Sequence, residues 1–189
     1  MVVMSALAAR FTCRLSQFCS ERRAVAAVEF AMLLPVLVSL YLGCDELSRG
    51  IAADRKVTLV AHTVADLATQ FTNIADSDMS NILNASAAIM APYAASSLQA
   101  VVTQLAIDNK GKATVVWSDT LNGTARTVGQ AVTIPSTLAI PNSYLILGET
   151  TYAYNPVFGY VITGTLTLTD KIYMQPRDSV CVQRNGASC

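Results

Sequence analysis

The sequence predicts an α+β protein: an N-terminal transmembrane helix continuing into an amphipathic helix, a second short helix, and then an antiparallel β-sheet. Three observations carry this. Residues 24–44 form an apolar run with a single charge, Glu29. Beyond it, apolar residues recur at alternating steps of three and four. From Leu98 onward, β-branched and aromatic residues gather in segments bounded by Asp, Asn, Pro and Gly. Helices first and strands afterwards indicate α+β rather than alternating α/β. The expected organisation is a cytoplasmic basic leader over 1–24, a transmembrane helix over 25–44, an amphipathic helix over 45–75 and a periplasmic α+β domain over 76–189.

The anchor comes first. Twenty-one helical residues span ~31 Å, which matches a hydrocarbon core of roughly 30 Å. Arg10, Arg14, Arg22 and Arg23 precede the run against a single Glu21, and Asp45 and Glu46 follow it. The bias of basic residues places the N-terminus in the cytoplasm and the bulk of the chain in the periplasm. Pro35 falls inside the run, where a membrane helix tolerates a kink. Two other readings compete. A cleaved signal peptide would use the small residues Ala52 and Ala53, which stand well past the apolar stretch. A lipoprotein signal would use Leu42-Gly43-Cys44, for which Tyr41 and Leu42 are poor neighbours. Glu29 needs its own explanation, because a carboxylate at a helix centre in lipid costs ~2.5–3.5 kcal/mol, and less near the end. The plain alternative has Glu29 reaching the headgroups with the span starting at Phe30, which leaves only fifteen residues to Cys44.

After the anchor, Val57, Val60, Val64, Leu67, Phe71 and Ile74 form one stripe of a helix, with Arg55, His62, Asp66 and Thr69 opposite. Asp76-Ser77-Asp78 supplies a stop and a fresh N-cap, and 79–90 reads as the second helix. Strands are expected at 98–107 and 113–118 around the turn Asp108-Asn109-Lys110-Gly111-Lys112, then at 144–154 and 160–174. Residues 119–130 read as a polar loop. Thr165-Leu166-Thr167-Leu168-Thr169 carries the half-buried alternation of a strand.

The composition narrows function. The chain has 189 residues, 52% hydrophobic and 14% charged, well under the ~25% charge of a typical soluble domain. Thirteen basic residues balance thirteen acidic ones, so no net field attracts a polyanion and nucleic acid is not an expected partner. No CxxC, Walker, GxGxxG, HExxH or Gly-x-Ser-x-Gly pattern occurs, so no catalytic residue, cofactor or metal is expected. The single histidine, His62, is read as an exposed pair with Asp66 one turn on. Asp76-Ser77-Asp78 lacks the acidic ladder of a calcium loop. Of Tyr144, Tyr152, Tyr154, Tyr160 and Tyr173, two or three are read as core and cross-strand residues, the alternative being a partner-binding face. In an oxidising compartment Cys181 and Cys189 would close a short disulfide loop; the alternative is two free thiols.

The string Arg22-Arg23-Ala24-Val25-Ala26-Ala27-Val28-Glu29-Phe30, followed by the apolar run with Pro35, resembles the start of the TadE/TadF/TadG pseudopilin group. Arg55-Lys56-Val57-Thr58, Tyr152-Ala153-Tyr154-Asn155-Pro156-Val157-Phe158 and Tyr173-Met174-Gln175-Pro176-Arg177 add looser similarity at both ends of the chain. The length and the lack of an Asp-x-Ser-x-Ser metal motif favour TadE over TadG. The resemblance implies a pilin-like fold and a minor pseudopilin of a Flp-type (Tad) type IV pilus, structural rather than enzymatic. It implies cleavage by a prepilin peptidase between Ala24 and Val25, with Glu29 then the fifth residue and Glu29-Phe30 the assembly signal. Typical members carry Gly before the cut, where this chain has Ala24. The implied partners are the prepilin peptidase, other pseudopilins and the Flp pilin, the inner-membrane platform and membrane lipid. The rival reading is an anchored periplasmic binding or sensing domain unrelated to pili.

Overall fold

The computed structural model describes residues 22–189 apart from 158, 160, 162 and 188. Arg10, Arg14, Glu21, Cys13, Cys19, Phe158 and Tyr160 therefore lie outside the described residues. The chain divides into two compact units, Met1–Glu46 and Leu47–Cys189. Helix α1 (Arg22–Thr69) contributes to both. It is followed by β1 (Asn73–Ile74), α2 (Asp76–Ile89), β2 (Leu98–Ile107), β3 (Ala113–Leu121), β4 (Ala131–Val132), β5 (Tyr144–Tyr154), β6 (Leu166–Met174) and β7 (Gln183–Arg184). The α+β class stands, with an antiparallel five-stranded sheet in the order β4-β3-β2-β5-β6 and a separate parallel pair, β1-β7.

In the second unit, α1 lays a seam of small residues on one face of the sheet. Ala53, Val57, Val60, Ala61, Val64, Ala65 and Ala68 are all fully buried. The expected stripe placed the valines correctly and overlooked the alanines. Small side chains let the backbones approach closely at Gly148 of β5, where an added Cβ would sit 2.6 Å from the Ala61 carbonyl oxygen. Helix α2 completes this core with Met79, Ile82 and Leu83 on one side. Lys56 Nζ donates to the Ile89 carbonyl at 2.9 Å, satisfying an orphan acceptor at the end of α2. The N-cap of α2 is Ala75 rather than an aspartate. Asp78 reaches back from the first turn and accepts from the Ala75 amide at 3.2 Å.

Helix α1 ends at Thr69, so Phe71 and Ile74 of the expected stripe lie beyond it. Two backbone contacts explain the stop. The Thr69 carbonyl accepts from the Arg177 amide at 3.0 Å, and the Thr72 carbonyl accepts from Gln183 at 2.9 Å. The chain is thereby drawn extended into the β1-β7 pair, which buries Ile74.

β2 and β5 lie at the boundaries read from the sequence, and β3 and β6 do not. β3 runs on to Leu121, three residues into the expected polar loop. Its register shifts: Gln104 faces Trp117 and Leu105 faces Val115, leaving Val116 as the extra residue of a β-bulge. Because strand side chains alternate, one extra residue moves Trp117 to the helix-covered face while Ala113 and Val115 face the other side. A second core forms there from Leu105, Ile107, Ala113, Val115, Leu145 and Leu147, flanked by Val132, Ile134 and Leu138 of the connection between β3 and β5. On this face Arg126 pairs with Glu149 through two bonds of 2.8 and 2.7 Å. β6 starts at Leu166 rather than at 160, since Gly159 (φ 67°) and Gly164 (φ 86°) adopt conformations that end an extended run.

Candidate functional site

The N-terminal motif is helical from Arg22 onward. Val25 and Phe30 are 53% and 60% exposed, and Glu29 is exposed too. Within the first unit this helix is long and apolar enough to cross a membrane by length and composition. Val25 and Glu29 stand four residues apart, so a helix puts residue 25 one turn before the carboxylate on the same face. Were Val25 the first residue, its free amine would lie about one turn, roughly 6 Å, from Glu29. Pro35 sits inside the helix and removes the donor that would serve Ala31. Ser39 Oγ donates to the Pro35 carbonyl at 2.8 Å. Cys44 is exposed and unbonded, alone in this among the described cysteines.

A second constellation lies at the other end of the chain. Cys181 and Cys189 are joined by a disulfide with Cα atoms 6.4 Å apart. Between them, Val182 is held by two face-mates of the sheet: its amide donates to Gln104 Oε1 at 2.8 Å and its carbonyl accepts from Trp117 Nε1 at 2.8 Å. Gln104 is fully buried, and the β3 bulge is what brings Trp117 alongside it. Two residues on, Arg184 forks onto Asp119 at 2.9 and 3.1 Å, meets Asp76 at 2.6 Å, and donates to the Ile74 carbonyl at 3.2 Å. Asn185 Nδ2 donates to Asp76 at 2.9 Å. These contacts clasp the C-terminal segment to β1 and the start of α2. The motif reading of the sequence missed it, since no local pattern marks Arg184, Asp119 or Trp117.

Hydrogen bonds from Asn185 and then Arg184 hold the Asp76 carboxyl below its ordinary range, and the Asp119 carboxylate, with Asp76, raises the Arg184 guanidinium further. The sign is fixed. A carboxyl with a depressed folded-state pKa contributes stability above its unfolded value, about 3.9, and loses it as pH falls toward the folded value. Asp108, depressed by the Lys112 and Lys110 amides, acts in the same direction. Thermal melts from pH 6 to pH 2.5 are therefore expected to fall most steeply below pH 4, and Asp76→Asn should flatten part of that drop.

The remaining expected sites resolve simply. Asp66 pairs with Arg177 and accepts from Gln70 Nε2 at 2.9 Å, which replaces the expected His62 partnership. Thr69, placed on the polar face by the sequence, is fully buried. Tyr152 and Tyr154 are core, and both meet Tyr93 edge-on at 6.4 and 6.3 Å. Burial, chiefly, pushes the Tyr152 hydroxyl up. Among the described residues no three His, Cys, Asp or Glu side chains group to hold a metal.

No curated protein and no solved structure matches the chain. Residues 24–66 match a family model described as TadE-like protein, the family that the N-terminal motif resembles.

Proposed function

We propose that this chain is a minor pseudopilin, a structural assembly component of a Flp-type (Tad) pilus. It is anchored in the bacterial inner membrane with its N-terminus cytoplasmic and its C-terminal unit periplasmic. The observation that carries the reading is the family match over 24–66, which begins at the residue preceding the proposed cut and includes Glu29. Prepilin peptidase cleaves between Ala24 and Val25, and the new Val25 amine on this or a neighbouring chain pairs with Glu29. An unpaired carboxylate is penalised in lipid, so pairing favours subunits in register. Its partners are the peptidase, other pseudopilins, the Flp pilin and the membrane platform.

Mass spectrometry of the N-terminus, from membranes with and without the peptidase, tests this directly. A chain beginning at Val25 only when the peptidase is present is the expected result, and a chain still beginning upstream would sink the proposal. Ala24→Gly should raise the processed fraction by restoring the residue typical of the family. Glu29→Ala is expected to leave the protein in the membrane while reducing pilus assembly at least tenfold; unchanged assembly would favour an anchored binding or sensing domain.

A further inference from the structure

We propose that the Cys181–Cys189 disulfide is a redox lock. Oxidised, it holds Val182 and β7 on the body of the Leu47–Cys189 unit; reduced, it lets them detach while the rest of the unit stays folded.

The socket beneath the lock is polar. Gln104 is fully buried, and both ends of its amide meet the disulfide ring. Its Oε1 accepts from the Val182 amide at 2.8 Å, and its Nε2 reaches Cys189 Sγ at 3.5 Å. Trp117, which faces Gln104 across the β2–β3 ladder, donates from Nε1 to the Val182 carbonyl at 2.8 Å. A wholly apolar socket would be left as a void on opening. This one offers hydrogen-bonding groups to the water that replaces Val182, which lowers the cost of the open state.

Few other contacts hold the segment. The Gln183 and Asn185 amides donate to the Thr72 and Ile74 carbonyls at 2.9 and 3.0 Å, and Arg184 adds its pairs with Asp119 and the exposed Asp76. Of the described residues from 175 onward, Val182 alone belongs to the buried core, whose remainder comes from α1, α2, Ile74 and the five-stranded sheet with its flanking loop residue Met90. A segment attached by so little opens as a local unit. Its ring has a sequence separation of 8. Closing a loop of that size restricts the open chain and favours docking by roughly 50–100-fold. The covalent bond therefore decides the balance.

Exchange has an open side, because Cys189 is exposed and Cys181 half-buried. The oxidant is a thiol–disulfide oxidoreductase carrying a disulfide. The Cys189 thiolate attacks that disulfide, forms a mixed disulfide and expels one partner thiolate. The Cys181 thiolate then attacks the Cys189 sulfur and expels the second. Two electrons pass to the partner, and the two thiol protons end on its dithiol. Reduction by a dithiol runs the same path backward.

The test uses the full chain in mild detergent, with Cys13, Cys19 and Cys44 replaced by serine. Hydrogen exchange is read amide by amide by NMR, before and after reduction with dithiothreitol. On reduction the Val182, Gln183 and Asn185 amides are expected to exchange about tenfold faster or more. Those of Leu105 and Ile146 in the central strands should change by less than about threefold, and Trp117 emission should shift to the red. Cys181→Ser combined with Cys189→Ser should reproduce the reduced pattern without reductant. Acceleration below about tenfold at 182, 183 and 185 would overturn the lock, since the segment would be held without the bond. Equal acceleration in the central strands would overturn it as well, leaving the disulfide a staple of the whole fold.

Discussion

Gly148→Val is expected to destabilise the Leu47–Cys189 unit by about 3 kcal/mol, the upper range for overpacking a dense interior. The first atom that a Cβ at 148 would meet is the backbone oxygen of Ala61 at 2.6 Å, followed by Ala65 Cβ at 3.0 Å and Ile172 Cγ2 at 3.4 Å. A flexible side chain could swing away, whereas a helical carbonyl moves only if α1 lifts off the sheet. Such a shift would open the seam formed by Val57, Val60 and Val64, each fully buried. Urea unfolding in mild detergent, followed by the fluorescence of Trp117, measures the loss, because Trp117 is the sole tryptophan and is only 7% exposed. Gly148→Ala should lose less, about 1–2 kcal/mol. A change under about 0.5 kcal/mol for valine would show that the helix slides freely over β5.

Arg184→Met is expected to lower stability by about 2 kcal/mol, short of the 3–5 of a wholly buried pair because its partners are partly wet. The Arg184 side chain is 16% exposed, Asp119 26% and Asp76 80%. Asp76 therefore contributes little through charge alone, and most of the effect comes from Asp119 left facing an apolar neighbour. A double-mutant cycle with Asp119→Asn isolates that pair. Coupling near zero would mean that the backbone bonds of β1-β7 and the disulfide hold the segment without the guanidinium.

The contrast between elements explains what could be read in advance. β2 and β5 declared both their ends because turn residues bound them and their apolar content is continuous. β3 hid its last residues, Asp119-Thr120-Leu121, because they are half-polar, and their place is fixed by pairing with Val102, Val101 and Ala100. The Val116 bulge left no trace, since a β-branched residue is as acceptable in a bulge as beside it. Before β6, Val161 looked like strand, and Gly159 and Gly164 with positive φ overrode it. The alanines of α1 were invisible as core for a different reason: small residues signal burial only once the partner glycine is known. At the candidate site, the Arg-Arg to Glu-Phe motif was legible because it is contiguous. The clasp was not, because Arg184 meets Ile74 across 110 residues of chain and Trp117 meets Val182 across 65.

That separation bears on the order in which the protein is made. Residues 73–76 leave the ribosome long before 182–186, and the two short strands form one parallel pair. Until the later segment has been made, the amide partners of Thr72 and Ile74 are missing, and Gln104 and Trp117 have no Val182 to hold. Loop closure over such a span is slow compared with forming α1 or the β2–β3 hairpin. The helices and the β2–β3 hairpin should therefore form before the β1–β7 pair closes, which makes that closure a late step of folding.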